Sequence, residues 1–241
     1  MKSPKYQNRY YRDWQGTGEL VSFKVQVSES DLLIMAEKDL SAEAREALVK
    51  YRHQLESYIK VHPEFLATLK PYFVEPLVPP LIRDMALAGQ KANVGPMAAV
   101  AGAIAEKVGA ELLKYSREVI IENGGDIFIA GTKKRSVGIY GGKKIKDLAV
   151  EIGPEKMPCG VCTSSGVMGH SLSFGKADSA TVISGSASLA DAAATAVCNM
   201  VQSAEDIEKA LEYALGIEGV TGAVICKDKT VGIKGDVKLI G

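Results

Sequence analysis

Asn123-Gly124-Gly125-Asp126 stands between two apolar runs, Val119-Ile120-Ile121 and Ile127-Phe128-Ile129, and constrains the fold more sharply than any other stretch of the chain. Asn-Gly is a standard choice for a tight hairpin, whose loop residues take positive φ. The flanking runs then become two antiparallel strands. The same glycines let main-chain N–H groups approach a phosphate or ribose with no Cβ in the way, so a ligand contact stays open beside the simple turn. Two acids, Glu122 and Asp126, are tucked against the apolar runs.

Further elements follow from the same kind of patterning. Residues 18–27 alternate and residues 31–37 follow a Ser-Glu-Ser break, which predicts a first hairpin. Ser41-Ala42-Glu43-Ala44 opens a helix whose spacing runs through Leu48, Leu55, Ile59 and Leu66 until Pro71 stops it. Helical regions are expected at about 81–90 and 96–114, and strands at 136–140 and 147–152 that extend an antiparallel sheet. Residues 153–179, rich in Gly, Ser, Pro and Cys, read as a long functional loop. A strand at 180–184, helices at 188–201 and 204–215, and a hairpin of 222–227 with 230–234 complete the chain. No linker divides it. The expectation is one α+β domain over residues 1–241, sheet hairpins backed by helices, with an N-terminal arm of about residues 1–15.

Composition narrows the function classes. A chain of 241 residues that is 46% hydrophobic buries a core, and Lys plus Arg balance Asp plus Glu at 29 each, so no global field draws it to nucleic acid or a membrane surface. Any charged ligand must be held by local geometry. The N-terminus lacks the apolar core of a secretory signal, which makes the cytoplasm the expected location, and Val94 to Ala105 is too short to cross a bilayer. Lys2, Lys5, Arg9 and Arg12 among Tyr6, Tyr10, Tyr11 and Trp14 read as an arm that docks on its own fold or on another subunit of a homo-oligomer, in preference to nucleic-acid contact.

Four segments carry candidate chemistry. Asp191, Thr195 and Asn199 recur at four-residue spacing on a helix of small residues, and a carboxylate and hydroxyl one turn apart suit a hard cation such as magnesium. The alternative is an N-cap at Ser188 with Asp191 as a first-turn acid. Gly95-Pro96-Met97 starts a helix whose free N–H groups suit an anion, or else it serves close packing. Thr163-Ser164-Ser165-Gly166 is followed by His170, a candidate general base. Cys159-Gly-Val-Cys162 is either a redox pair or two buried thiols. Serine-hydrolase elbow, P-loop and dinucleotide fingerprint are all absent from the sequence.

Taken in order, these segments resemble the ApbE-type flavin transferases, which move FMN from FAD onto a threonine of a target protein using magnesium. Gly16-Thr17 is similar to that family's early Gly-Thr, and Asn93-Val94-Gly95 to its Asp-Leu-Gly helix start. Glu122-Asn123-Gly124-Gly125-Asp126-Ile127 resembles its Asn-x-Gly-Gly-Asp-Ile turn, Thr163, Ser164 and Gly166 its Thr-Ser-Gly, and Ala190 to Ala196 its Ala-Asp-Ala-Leu-Ala-Thr-Ala. The resemblance covers about residues 16–202 and implies a T-fold-like α+β architecture. By position it implies that Asp191, Thr195 and a main-chain carbonyl near Pro96 hold magnesium. Thr17, Gly95, Asn123, Gly124, Gly125, Asp126, Thr163, Ser164 and Gly166 would hold FAD or another nucleotide, His170 would serve the reacting phosphate, and an acceptor protein would be the partner. Two motifs depart from the family: its Lys-Gly-Tyr becomes Ala99, Val100 and Ala101, and its His-x-x-Asp-Pro becomes His170-Ser171-Leu172-Ser173-Phe174. The functions implied are a magnesium-dependent flavin or nucleotide phosphotransferase or pyrophosphatase, or a flavin- or nucleotide-binding protein without turnover. A thiol-redox protein using Cys159 and Cys162 is a third class.

Overall fold

The computed structural model describes residues 19–142, 145, 148–167 and 174–240. The N-terminal arm, Thr17 and His170 lie outside the described residues. An antiparallel sheet of eight strands runs in the order β1 (Val21–Val27), β2 (Ser30–Ala36), β3 (Val119–Asn123), β4 (Asp126–Ala130), β7 (Cys159–Ser164), β8 (Ser179–Ser184), β9 (Val220–Lys227), β10 (Thr230–Gly235). Helices α1 (Ser41–Val61), α2 (Pro63–Ala67), α3 (Pro80–Ala92), α4 (Val100–Leu112), α5 (Ala187–Met200) and α6 (Ile207–Gly216) supply the apolar side chains that meet one face. A second sheet, β11 (Lys238–Ile240), β6 (Leu148–Ile152) and β5 (Arg135–Ile139), covers the other.

Strand alternation sorts the core into these two halves. Ile34, Val119, Ile121, Phe128, Val182 and Ile225 face the helices. Met35, Ile120, Ile127, Ile129, Val161 and Val224 face Val137, Ile139, Val150 and Ile152 of the small sheet. Because the large sheet is covered on both sides, β3 and β4 are buried at every position, which explains continuous apolar runs where a half-exposed strand would alternate.

Several expectations shift. The helix expected from Ser41 to Pro71 breaks at His62, because Pro63 cannot donate an N–H and disfavours helical geometry in the residue before it; Pro63 instead opens α2. The region 96–114 begins as a 3₁₀ turn, Pro96–Ala99, before α4. Strands β5 and β6 belong to the separate small sheet, completed by β11, which the sequence reading omitted. The long loop contains β7: small residues form that strand because α5 presses on it, and a Cβ on Gly160 would lie 2.3 Å from Ala187 Cα. None of the described helices is long and apolar enough to cross a membrane.

One ion pair ties the layers together at the start of β3. Glu118, 5% exposed, accepts hydrogen bonds from Arg135 Nη2, Thr132 N and Thr132 Oγ1, each at 2.7 Å. Burial alone would raise its pKa, but the Arg135 guanidinium and the two Thr132 donors outweigh it and hold the carboxyl below its ordinary value. Substituting Glu118→Ala leaves Arg135 buried and unpaired, so urea unfolding should show a loss of about 3–5 kcal/mol. The exposed pair Lys50–Glu111, broken by Lys50→Ala, should change stability by less than about 1 kcal/mol in the same assay.

Candidate functional site

The β3–β4 turn is a two-residue hairpin, with Asn123 opposite Asp126 and φ of 72° at Gly124 and 117° at Gly125. Two consecutive positive φ values explain both glycines by the turn alone. Among the described residues the turn is also open: none has an atom within 4 Å of where a Gly124 Cβ would sit, and only the Thr163 carbonyl oxygen, at 3.8 Å, approaches that of Gly125. Asn123 and Asp126 continue the helix-facing rows of their strands, and Asn123 Nδ2 donates to the Ala101 carbonyl at 3.1 Å. Glu122, wholly buried, sits on the opposite face, so the two acids that look alike in sequence are separated by the sheet.

Asp191 reaches the same place from α5. Ser186, not Ser188, caps that helix, its Oγ accepting from Leu189 N at 3.3 Å. Asp191 serves the dipole of a neighbour instead of its own: its Oδ2 accepts from Gly102 N at 2.9 Å, and Ala101 N–H also bonds to the carboxylate, in the first turn of α4. Glu106 of α4 returns the contact. Its Oε2 accepts from Ser186 Oγ and Ser188 N, each at 3.0 Å, and from Ser188 Oγ at 3.2 Å. Between these contacts the backbones nearly touch, since a Cβ on Gly102 would lie 2.2 Å from the Ala187 carbonyl oxygen.

Two buried carboxylates therefore act on each other. Asp126 is 9% and Asp191 8% exposed. Burial and then the charge of Asp191 push the Asp126 pKa well above its ordinary value, only partly opposed by bonds from Thr163 N–H and the Cys162 thiol. Burial pushes Asp191 up to about 7 against the lowering effect of the Gly102 and Ala101 N–H groups. Among the described residues no lysine, arginine or histidine bonds to either carboxylate, and no group of three or more His, Cys, Asp or Glu is arranged to hold a metal.

The remaining expected residues divide. Ser164 is buried on the helix-facing side of β7, the side of Cys162 and Asp126, whereas Thr163 points the other way and bonds Thr181 Oγ1 at 2.8 Å, reaching Asp126 only through its backbone. Thr195 is half-buried one turn beyond Asp191. Pro96 opens the 3₁₀ turn, and Gly95 is explained by packing, with the Thr68 carbonyl oxygen 2.0 Å from its would-be Cβ. Gly166 likewise lies under the Gly175 carbonyl, at 2.1 Å. Asn199 leaves the stripe to accept from Phe174 N at 2.8 Å.

The redox reading is overturned. Cys159 packs with the small-sheet side of the core and Cys162 with the helix side, so one β-strand holds their thiols on opposite faces, beyond disulfide reach. Burial pushes Cys159 up to about 11, and burial with the charges of Asp126 and Asp191 pushes Cys162 up as well, which leaves both as inert thiols. The residues missed in sequence are Glu106, Ser186 and the amides of Ala101 and Gly102. Their contacts span some 80–90 positions, and no local spacing announces them.

Comparison with known proteins identifies the family and the fold. A family model described as AbpE bacteria matches residues 12–232. A UPF0280 protein of Methanocaldococcus jannaschii is 42% identical over 223 residues, covering 89% of this chain and 90% of its own length. One from Methanocella arvoryzae is 40% identical over 206 residues, 83% of each chain. Among solved structures, the Pseudomonas stutzeri flavinyl transferase ApbE in its apo form superposes with a TM-score of 0.60 at 13% identity, covering 90% of this chain and 94% of its own. The Vibrio cholerae flavin transferase ApbE gives a TM-score of 0.53 at 12% identity, with 90% and 97% covered. At such identities the two structures speak for the fold, and the family match and the relatives speak for descent: the chain belongs to the ApbE-like family described as AbpE bacteria, on the branch of the UPF0280 proteins.

Proposed function

We propose that the chain is a magnesium-dependent flavin or nucleotide phosphotransferase or pyrophosphatase. The observation that carries this reading is the convergence of Asp126 and Asp191, two buried carboxylates to which no basic side chain among the described residues bonds, beside a Gly-Gly turn open among those residues. Two like charges out of water are costly unless a cation joins them. The donor set is all oxygen, which fits a hard cation that keeps waters and shares its shell with phosphates. Asp191, Thr195 and the Pro96 carbonyl would hold it. Magnesium, when bound, would neutralise charge that builds on the pyrophosphate. The amides of Gly124 and Gly125 and the hydroxyl of Ser164 would orient the nucleotide, and His170 would hold the proton of the attacking group. The neighbouring folds titled flavin transferases support a flavin as the group handled, and the motif resemblance supports FAD as the donor and a protein as acceptor.

A second reading, a flavin or nucleotide binder without turnover, is favoured by Ala99, Val100 and Ala101, which put no basic group where the transferases have Lys-Gly-Tyr. Incubation with FAD and magnesium separates the two. FMN or AMP should accumulate, and Asp191→Ala should reduce the rate by about 100-fold or more, the scale of losing a charge contact at a phosphoryl centre. Tight FAD binding without product supports the binder, and failure to bind FAD overturns both.

The raised carboxylates add a pH signature. Between about pH 4 and 7 the native state retains protons that unfolded aspartates have released, so in chelator the stability should fall as pH rises through this window. The loss, on the order of a few kcal/mol, corresponds to a melting temperature lower by roughly 5–10 °C at pH 8 than at pH 5. Groups held low, such as Glu118, contribute with the opposite sign as pH rises through the ordinary carboxylate range, so the comparison starts at pH 5, above most of that titration. Millimolar magnesium should flatten the slope; an unchanged slope argues against a cation on these groups.

A further inference from the structure

We propose that Glu106 is a positioning residue for Asp191, acting through the first turn of α5, and thereby sets the cation affinity of the candidate site. The proposal rests on the cation reading above and adds to it a determinant outside the ligand set.

Helices α4 and α5 run antiparallel and are joined by two rungs. At one, Asp191 of α5 receives the Gly102 amide of α4 at 2.9 Å. At the other, four residues along α4 and three back along α5, Glu106 receives the Ser188 amide and the hydroxyls of Ser186 and Ser188 at 3.0–3.2 Å. Each carboxylate caps the other helix, and Ala187 and Gly102 fill the space between in near backbone contact. One rung alone would allow the helices to rotate about it; two fix their slide and rotation. The place of Asp191 relative to Asp126 and the 3₁₀ turn at Pro96 is thus set from both sides. Three donors on a single Glu106 oxygen are charge-assisted bonds, and among the described residues no lysine or arginine is paired with it. Among the described residues the bonds to Glu106 come from Ser186 and Ser188 and none from Asp126 or the Gly-Gly turn, so its influence runs through Ser186, Ser188 and the helix they start.

The test is Mn²⁺ titration calorimetry on the whole chain, with thermal melting measured in parallel. Glu106→Gln keeps the volume and removes the charge, and it should weaken Mn²⁺ binding about tenfold, the lower end of what outer-sphere partners of metal ligands contribute. Ser188→Ala, which removes one hydroxyl and preserves the amide, should weaken binding a few-fold in the same direction and guards against a poorly folded Glu106 variant. Glu111→Gln, one to two turns further along α4 in the surface network with Lys50, Tyr51 and Lys114, should leave the affinity unchanged whatever it does to the melting temperature. Asp191→Asn should abolish binding. Wild-type affinity in both Glu106→Gln and Ser188→Ala, with binding lost in Asp191→Asn, overturns the proposal alone. Equal losses in Glu106→Gln and Glu111→Gln also overturn it, because they reduce the effect to general destabilisation. If the wild type binds no Mn²⁺, or Asp191→Asn binds as well as wild type, the cation reading falls and takes this inference with it.

Discussion

The seating of α5 sets the terms for the rest of the molecule. Its sequence, Ala-Ser-Leu-Ala-Asp-Ala-Ala-Ala-Thr-Ala-Val-Cys-Asn-Met, is buried at eleven positions, and the small side chains let it lie against β7, β8, α3, α4 and α6 at close range. Close range has two consequences. Partners must give way, hence Gly160 beneath Ala187 and Gly102 beside it. Helix ends brought into the interior also leave amides without water, and a buried N-terminus must find acceptors within the protein. Two carboxylates, Glu106 and Asp191, meet that need reciprocally. The candidate site is therefore built from groups that the packing itself requires.

What could be read from the chain follows the range of the forces involved. The β3–β4 hairpin is legible because Asn-Gly-Gly and its flanking runs act locally. So is α5, since a four-residue spacing is a property of one helix. The over-long first helix arises because spacing through Leu66 persists across Pro63, and an apolar stripe says nothing about a missing N–H. Strand β7 reads as loop because Cys-Gly-Val-Cys-Thr-Ser is selected by the helix above it, not by strand propensity. The Asp126–Asp191 juxtaposition was suggested by resemblance, yet the roles of Glu106 and Ser186 depend on contacts between segments some 80 residues apart, which no window of sequence contains.

The same distinction applies to residues that were expected to bind. Gly95 and Gly166 are each explained by a carbonyl that would collide with a Cβ, and Thr163 spends its hydroxyl on Thr181. Motif membership groups these residues with Asp126 and Asp191, but their physical requirements differ. The two aspartates keep an unmet need: burial and the charge of Asp191 raise Asp126, and the N–H groups that Asp191 accepts only partly offset its burial. The contrast with Glu118, a buried acid matched by Arg135 and Thr132, is what makes the two aspartates candidates for function.

The departures from the transferase pattern have a steric side. Ala99 is completely buried, Ala101 gives its carbonyl to Asn123 and its amide to Asp191, and Gly102 has no room for a Cβ. A lysine at position 99 would have to displace the packing between the 3₁₀ turn and α5. With no lysine at positions 99–101, a phosphate in the proposed site would meet main-chain N–H groups and the cation held by the carboxylates, and that cation would carry more of the electrostatic task than it would beside a lysine.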